Sequence, residues 1–596
     1  CPGRRKALTG HTRFHQALVA GQSFASAWAL TEPGPMFIGA TVAPGQDVDK
    51  VRSGMAAVVD ALPAEPVTAE ELERSRTMWL NNWDLGFTDP ERVGVALTDA
   101  ISHGDWRLYF LQRDRVRQVT LADVNRVAAE WLRKDNRTVG IYLPTTTPER
   151  APQGTRVDVA AMVAGYKGDA NAAQAEAFDP TPSNLDARTQ NLRAGGLKVA
   201  LLPKGTRGGV VHARLTLRFG DEKSLVGQET VASFTGSLID KGGAGLTRQQ
   251  ISDALDKLQA QVGIGGSGQT VSANITTKRD RLPAVIELVG KLLREPAFPA
   301  EPLEEARRQW LTGIERQRKE PDALIANMLA RHGNPYPRGD LRHAQTFDEM
   351  EQDVKAVTTE QLRAFHRRFY SAAQGEFTAV GDLDVAAVRK ALDGALANWR
   401  QPAAGAAKFV RVPQPLVAAP PLRMVALTPD KANANLSGRL SLPLSDRHAD
   451  HPALMLANYI FGTAGNSRLW KRIREKDGLS YDVRSVLDWS AIDDNTSWNV
   501  SAIFAPSNQP KVEAAFNEEL ARSLKDGFTQ DELNEARAGL LNFRRLARAQ
   551  DAAVASGLVN NLYLQRSFAF GQQVDDAIQK LTLAQVNEAW RKYIHP

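Results

Sequence analysis

The sequence predicts an α+β chain built of repeated homologous units, each a mainly antiparallel sheet packed against helices. Two observations carry this. One helical pattern occurs three times, at intervals of roughly 200 residues, too long a period for a solenoid. Strand-like runs flank each copy in the same order: strand, helix, helix, long helical stretch, helix, strand. Strands and helices mix without strict alternation, which places the sheet on a layer of helices.

The elements follow in that order. Residues 37–42, 271–275 and 498–504 are strand-like. Each leads through a turn into an apolar-periodic helix, at 51–62, 282–293 and 512–524. The next helix repeats a leucine, a small or apolar residue and a larger apolar residue at i, i+3 and i+7. These are Leu72, Ser75, Trp79; Leu303, Ala306, Trp310; and Leu533, Ala536, Leu540, one helix face in each unit. Thr68 and Thr529 are good N-caps, and acidic residues in the first turn suit the helix dipole. A later helix opens at Thr120, Thr358 and Thr582 and carries Trp131, Phe369 and Tyr593 at one shared offset. The first two copies run on into extended segments, 138–143 and 376–380, whereas the third stops at Pro596 before its strand.

Composition sets the domain boundaries. At about 150 residues per domain, 596 residues correspond to about four domains, with three also possible. Residues 149–190 and 401–420, rich in Ala and Pro, read as linkers. The units are therefore 1–148, 191–400 and 421–596. Only 66 residues precede Val67, so the opening strands of the first unit are expected to be missing and the chain to be a fragment.

Charge and cysteine content exclude several classes. Net charge is +6 with Lys and Arg interleaved among Asp and Glu, so no basic stripe points to nucleic acid. No run approaches 18 apolar residues, so no transmembrane helix is expected. A single cysteine, Cys1, rules out an intrachain disulfide and a four-thiolate zinc site. His11 and His15 share i, i+4 spacing but lack a glutamate between them, and read as part of an ordinary structural helix. His448 and His451 read as solvated turn residues, and the loop from His332 through Asn334-Pro-Tyr-Pro337 as structural.

Two stretches resemble the pitrilysin/insulinase family of zinc peptidases. The first runs from Ser467 through Arg474, Gly478 and Tyr481. In that family the corresponding segment of the last domain carries an arginine and, seven residues later, a tyrosine that reach substrate in the other half. Arg474 and Tyr481 match them. A guanidinium and a phenol are donors suited to the negative charge that amide hydrolysis builds on a carbonyl oxygen. Ahead of them, Phe461-Gly462-Thr-Ala-Gly465 resembles a shortened glycine loop that contacts substrate in some relatives; a plain helix-to-helix turn is the alternative.

The second stretch is Thr230 to Gly242. The family's zinc helix carries H-x-x-E-H there. This sequence has Ser233, Gly236 and Ser237 at the corresponding places. Hydroxyls are poor zinc ligands and glycine is no base. The resemblance thus implies a degenerate third domain at 191–400, a partial second domain at 1–148 and the Arg/Tyr-bearing fourth domain at 421–596. It implies two halves closing as a clamshell and zinc in the intact enzyme, with no ligand set in this chain. The expected function is part of a metalloendopeptidase acting on enclosed peptides or small unfolded proteins, the isolated chain being inactive. The alternative is a non-catalytic peptide-binding or assembly subunit beside a zinc-bearing partner chain. A periplasmic or secreted parent protein is compatible with the resemblance.

Overall fold

The computed structural model describes residues 22–30, 34–42, 46–142, 175–396, 398–399 and 408–595. His11 and His15 lie outside them. The first unit opens with an antiparallel hairpin, β1 (Gln22–Ala27) and β2 (Met36–Thr41). Five helices follow: α1 (Val48–Asp60), α2 (Ala69–Gly86), α3 (Pro90–Ser102), α4 (Leu108–Gln118) and α5 (Leu121–Trp131). Thr68 and Thr120 start α2 and α5 as reciprocal caps with Glu71 and Asp123. Residues 138–142 belong to no strand. Among the described residues this unit's sheet has two strands, and Leu72, Ser75 and Trp79 are half-buried.

The middle unit is complete enough to show the plan. It contains α6 (Pro182–Arg188), β3 (Gln190–Ala194), β4 (Leu197–Pro203), β5 (Val210–Arg218) and α7 (Glu229–Leu238). A small ladder of β6 (Gly242–Gly243) and β7 (Leu246–Thr247) leads to α8 (Arg248–Lys257), β8 (Gln261–Ser267) and β9 (Thr270–Lys278). Then come α9 (Leu282–Arg294), α10 (Ala300–Gln317), α11 (Pro321–Arg331), α12 (Phe347–Ala356) and α13 (Thr359–Phe369). β10 (Gly375–Gly381) and α14 (Val385–Leu396) close the unit. The six-stranded sheet runs β3-β4-β10-β5-β9-β8, antiparallel except for the β4/β10 pair. Val211, Ala213, Leu215 and Leu217 of β5 face the helices, as period-two alternation requires.

The last unit repeats this plan with fewer strands. β11 (Ala434–Leu442), α15 (His451–Asn458), β12 (Ser480–Asp488) and β13 (Thr496–Phe504) form the sheet and its first helix. α16 (Gln509–Lys525), α17 (Gln530–Arg548), α18 (Asp551–Leu564), α19 (Phe568–Lys580) and α20 (Leu583–Tyr593) follow. Its sheet order β11-β13-β12 matches β5-β9-β8 of the middle unit. Leu533, Ala536 and Leu540 are buried in its core. His451 is also buried, edge-on to Trp489 at 4.3 Å, and so is not the solvated residue its polar turn implies.

The two larger units grip one another. α18 crosses the outer face of the middle sheet, where Val554, Ala555 and Leu558 pack on Ala200, Leu202 and Val380. The Thr378 hydroxyl donates to the Ala555 carbonyl at 2.8 Å, and Lys204 pairs with Asp551 at 2.6 Å. Reciprocally, α11 lies against β11. The connecting residues 408–420 are pinned to both units: Val412 N–H donates to Gln269 at 2.8 Å, and Arg411 grips Asp493 through both nitrogens.

Candidate functional site

Arg474 and Tyr481 are brought together by two local irregularities. The first is a widened, π-type helical turn from Trp470 to Lys476, anchored by fully buried Ile473. It ends where Gly478 takes φ +60°, a left-handed backbone that suits glycine. The Leu479 N–H returns to the Ile473 carbonyl at 2.9 Å, and Arg472 pairs with Asp477. The second is a bulge at the start of β12. Ser480 opposes Phe504 and Asp482 opposes Ile503, so Tyr481 is the extra residue. The Ser480 hydroxyl bridges both arms, within hydrogen-bond distance of the Asp482 and Ile503 carbonyls at 2.7 and 2.8 Å. A bulge of this kind re-aims a side chain.

The result is a short cationic stack. The Arg474 guanidinium lies 4.0 Å from the Trp470 ring centre and 5.2 Å from that of Tyr481. Tyr481 is 80% exposed, unusual for a large aromatic side chain. Among the described residues neither the guanidinium nor the phenol makes a hydrogen bond or an ion pair, so their donors are directed to solvent. Five N–H donors and one O–H on an aromatic platform fit a peptide carbonyl or carboxylate.

Behind this pair lies a polar cluster that sequence reasoning missed. Buried Asn458 ends α15. Its carbonyl oxygen accepts from Ser485 at 2.6 Å and from the Trp498 indole at 2.8 Å. Its amide donates to Thr463 at 2.9 Å and to the Ser485 carbonyl at 3.2 Å. The turn 459–463 is thereby fastened to β12 four residues beyond Tyr481. The only signal in the sequence was an asparagine in an otherwise apolar helix. Gly462 belongs to the same junction: a Cβ there would sit 2.4 Å from the Ser485 hydroxyl. Gly465 stands in an open, exposed turn.

Ser233, Gly236 and Ser237 lie on α7, in the separate core of the middle unit. Gly236 allows α7 to touch β8 directly: a Cβ would meet the Gly266 nitrogen at 2.2 Å and its Cα at 2.5 Å. The Ser237 hydroxyl is spent on the Phe234 carbonyl at 3.1 Å. These residues do not fit a zinc ion. They offer no imidazole or carboxylate, and backbone fills the space a glutamate side chain would need. Among the described residues no cluster of three or more His, Cys, Asp or Glu could hold a metal.

A broad cleft separates the first unit from the middle one. Its volume is about 3480 Å³, and it is walled by β1 and helices α2–α4 on one side and by α8, β8 and β9 on the other. Trp28, Trp79 and Trp83 line it. Asn81 donates to the Asp256 carbonyl at 2.8 Å and Arg74 to Asp253 at 3.0 Å, holding the two walls at one end. Sequence reading had no signal for this cleft, since it lies between units. No helix is long and apolar enough to cross a membrane among the described residues.

Comparison with known proteins adds four likenesses. A family model described as the Peptidase M16 inactive domain matches residues 356–540. An uncharacterized zinc protease of Mycobacterium bovis is 27% identical over 299 residues, 48% of this chain and 65% of that protein; the chain thus spans less than two thirds of this relative. A non-peptidase homolog of Helicobacter pylori is 22% identical over 369 residues, 59% of this chain and 82% of that protein. In fold, all of the chain is similar to 67% of the periplasmic protease PqqL from Escherichia coli, with TM-score 0.55 at 14% identity.

Proposed function

The chain belongs to the pitrilysin/insulinase family of zinc peptidases, and on that premise we propose that it is the non-zinc part of a metalloendopeptidase. Its substrates would be peptides or small unfolded proteins enclosed between two halves that close as a clamshell. The observation that carries this reading is the outward-facing Arg474–Tyr481 pair, with donors free of carboxylate partners among the described residues. In the proposed role both donate hydrogen bonds to the carbonyl oxygen of the bound peptide bond. Such donors stabilise charge that grows in the transition state. The zinc is expected from a domain or partner chain outside these residues, because Ser233, Gly236 and Ser237 do not fit it. Gly462 supports the strand that carries Tyr481, and Gly465 leaves backbone exposed for substrate.

The test is a titration of fluorescent unstructured peptides onto the purified chain, with elemental analysis of the same sample. The expected outcome is weak binding, no cleavage and no stoichiometric zinc. Binding that is unchanged in an Arg474→Ala, Tyr481→Phe double variant with a wild-type melting curve would remove the pair from the proposed site. The second reading, a non-catalytic subunit, draws on the backbone contact between Gly236 and Gly266 and on the likeness to the H. pylori non-peptidase homolog. An H-x-x-E-H segment encoded in the same reading frame upstream of Cys1 supports the first reading, and one encoded only as a separate chain supports the second.

A further inference from the structure

The outer face of the middle sheet is partly covered by α18, which crosses β4, β10 and β5. Beside the helix, Arg214 of β5, Asn274 of β9 and Gly263 of β8 open into the cleft. Period-two alternation puts Arg214 and Arg218 on this outer face, because Ala213, Leu215 and Leu217 point into the core. The cations around Arg214 are engaged. Arg218 pairs with Glu376 at 2.9 Å, Lys204 with Asp551 at 2.6 Å and Lys278 with Asp84 at 3.8 Å. Lys198 donates to the Leu562 carbonyl at 3.2 Å.

Arg214 is different. Among the described residues its guanidinium makes no hydrogen bond and no ion pair, and its Nε is shut off from water without an acceptor. A shielded N–H without an acceptor is unfavourable, so the position favours an acceptor that reaches it. Two further donors flank it. Asn274 stands directly opposite on β9, and Ser556 reaches the same cleft from α18. Neither side chain has a hydrogen-bond partner among the described residues. Beyond Asn274, Gly263 and Gly265 of β8 make a floor without side chains, where a Cβ would meet nothing within 4 Å. Another backbone can lie close to such a strand.

The chemistry of the position sets its ligand. It offers one formal charge, because burial lowers the pKa of neighbouring His212 and keeps it neutral. Asp89 and Glu91, at the start of α3 on the opposite wall, oppose a multiply charged anion. A planar guanidinium fork flanked by neutral donors matches a carboxylate.

We propose that Arg214, Asn274 and Ser556 form a subsite for a carboxylate of an extended peptide, carried by an acidic side chain or by the chain end. The peptide backbone runs over the Gly263–Gly265 floor. The guanidinium donates to both carboxylate oxygens, and a small turn of the side chain brings Nε into the same contact. The Asn274 amide and the Ser556 hydroxyl donate at its edges. The subsite rests on the reading that the chain binds peptide, and adds to it a preference for acidic ligands held by the middle unit, apart from Arg474 and Tyr481.

The probes are short rhodamine-labelled peptides of glycine and serine, with a central Glu or Gln and a free or amidated carboxyl end. They are titrated onto the full chain and read by fluorescence anisotropy. The forms with a carboxylate should bind on the order of tenfold more tightly than the neutral Gln amide. Whichever carboxylate gives the gain identifies its source. Arg214→Gln should abolish the preference, Arg214→Lys should keep part of it, and Arg474→Ala should leave it intact. On the wild-type chain, hydrogen exchange should slow along β8 and in the first turns of α18, a footprint that decides the matter if Arg214→Gln does not fold. Equal binding of charged and neutral peptides overturns the subsite and leaves the peptide-binding reading standing, whereas no binding of any peptide overturns both. A preference that survives Arg214→Gln or is lost in Arg474→Ala also overturns the subsite, as does exchange slowed only around residues 470–481.

Discussion

At Tyr481 the ring and the hydroxyl have separable roles, which makes the proposed site testable. Tyr481→Phe keeps the ring over Arg474 and removes one donor. In a complete enzyme, losing one oxyanion donor lowers turnover by about 10²–10³. The melting temperature should not move, because the ring is 80% exposed. Turnover and melting measured side by side check this; full activity reduces the pair to a surface stack. His451 gives a different prediction. Burial depresses its pKa to about 4, and its Nδ1 has no hydrogen-bond partner. The folded chain therefore stays neutral at His451 while the unfolded chain takes a proton below its ordinary value near 6.5. Stability is lost as pH falls from about 6.5 to about 4, by roughly 3 kcal/mol at the low end. His451→Gln should flatten that part of the stability–pH curve, as measured by urea unfolding at several pH values.

Among the elements, helices were easier to read than strands. The face Leu533, Ala536, Leu540 and the cap Thr529 were legible because a 3.6-residue period and a cap are local properties of the chain. Thr529 accepts from Glu532 N–H, and the Glu532 side chain returns to the Thr529 N–H while also pairing with Arg468 at 2.6 Å. Thr529→Ala should cost about 1 kcal/mol in unfolding free energy, and Glu532→Ala more, because it also strands Arg468. Arg474 and Tyr481 were legible only as a pattern match. Their approach depends on a π-type turn and a one-residue bulge, and neither has a compositional signature that a single sequence displays. The same limit hid Asn458, whose network joins a helix end to two strands far along the chain, and misjudged His451, whose burial comes from Trp489. The cleft between the first and middle units was invisible for the same reason: its walls are set by packing between repeats.

For the whole molecule, the central question is what keeps the middle and last units as one body. Each sheet receives a helix from the other unit, α18 on the middle sheet and α11 beside β11. The exchange is lopsided. α18 buries Leu558 and Val554 against Leu202 and Val380, while α11 buries nothing fully. Most of the coupling must therefore pass through α18, its Lys204–Asp551 pair and the Arg218 guanidinium stacked 3.6 Å over Tyr563. Asp186 adds a cap at the start of α19, accepting from Phe568 N–H at 2.8 Å and Ala569 N–H at 2.9 Å. Leu558→Ala removes buried methyl groups at the centre of this interface and should cost about 2–5 kcal/mol. Because the separate cores of the two units are untouched, the loss should appear as uncoupling: one calorimetric transition in the wild type, two in the variant. Asp551→Asn leaves the largely buried Lys204 ammonium without its carboxylate and should cost about 1–3 kcal/mol while leaving a single transition. A Leu558→Ala variant that melts in one step at the wild-type temperature would mean that residues 408–420, through Arg411 and Asp493, hold the units together instead.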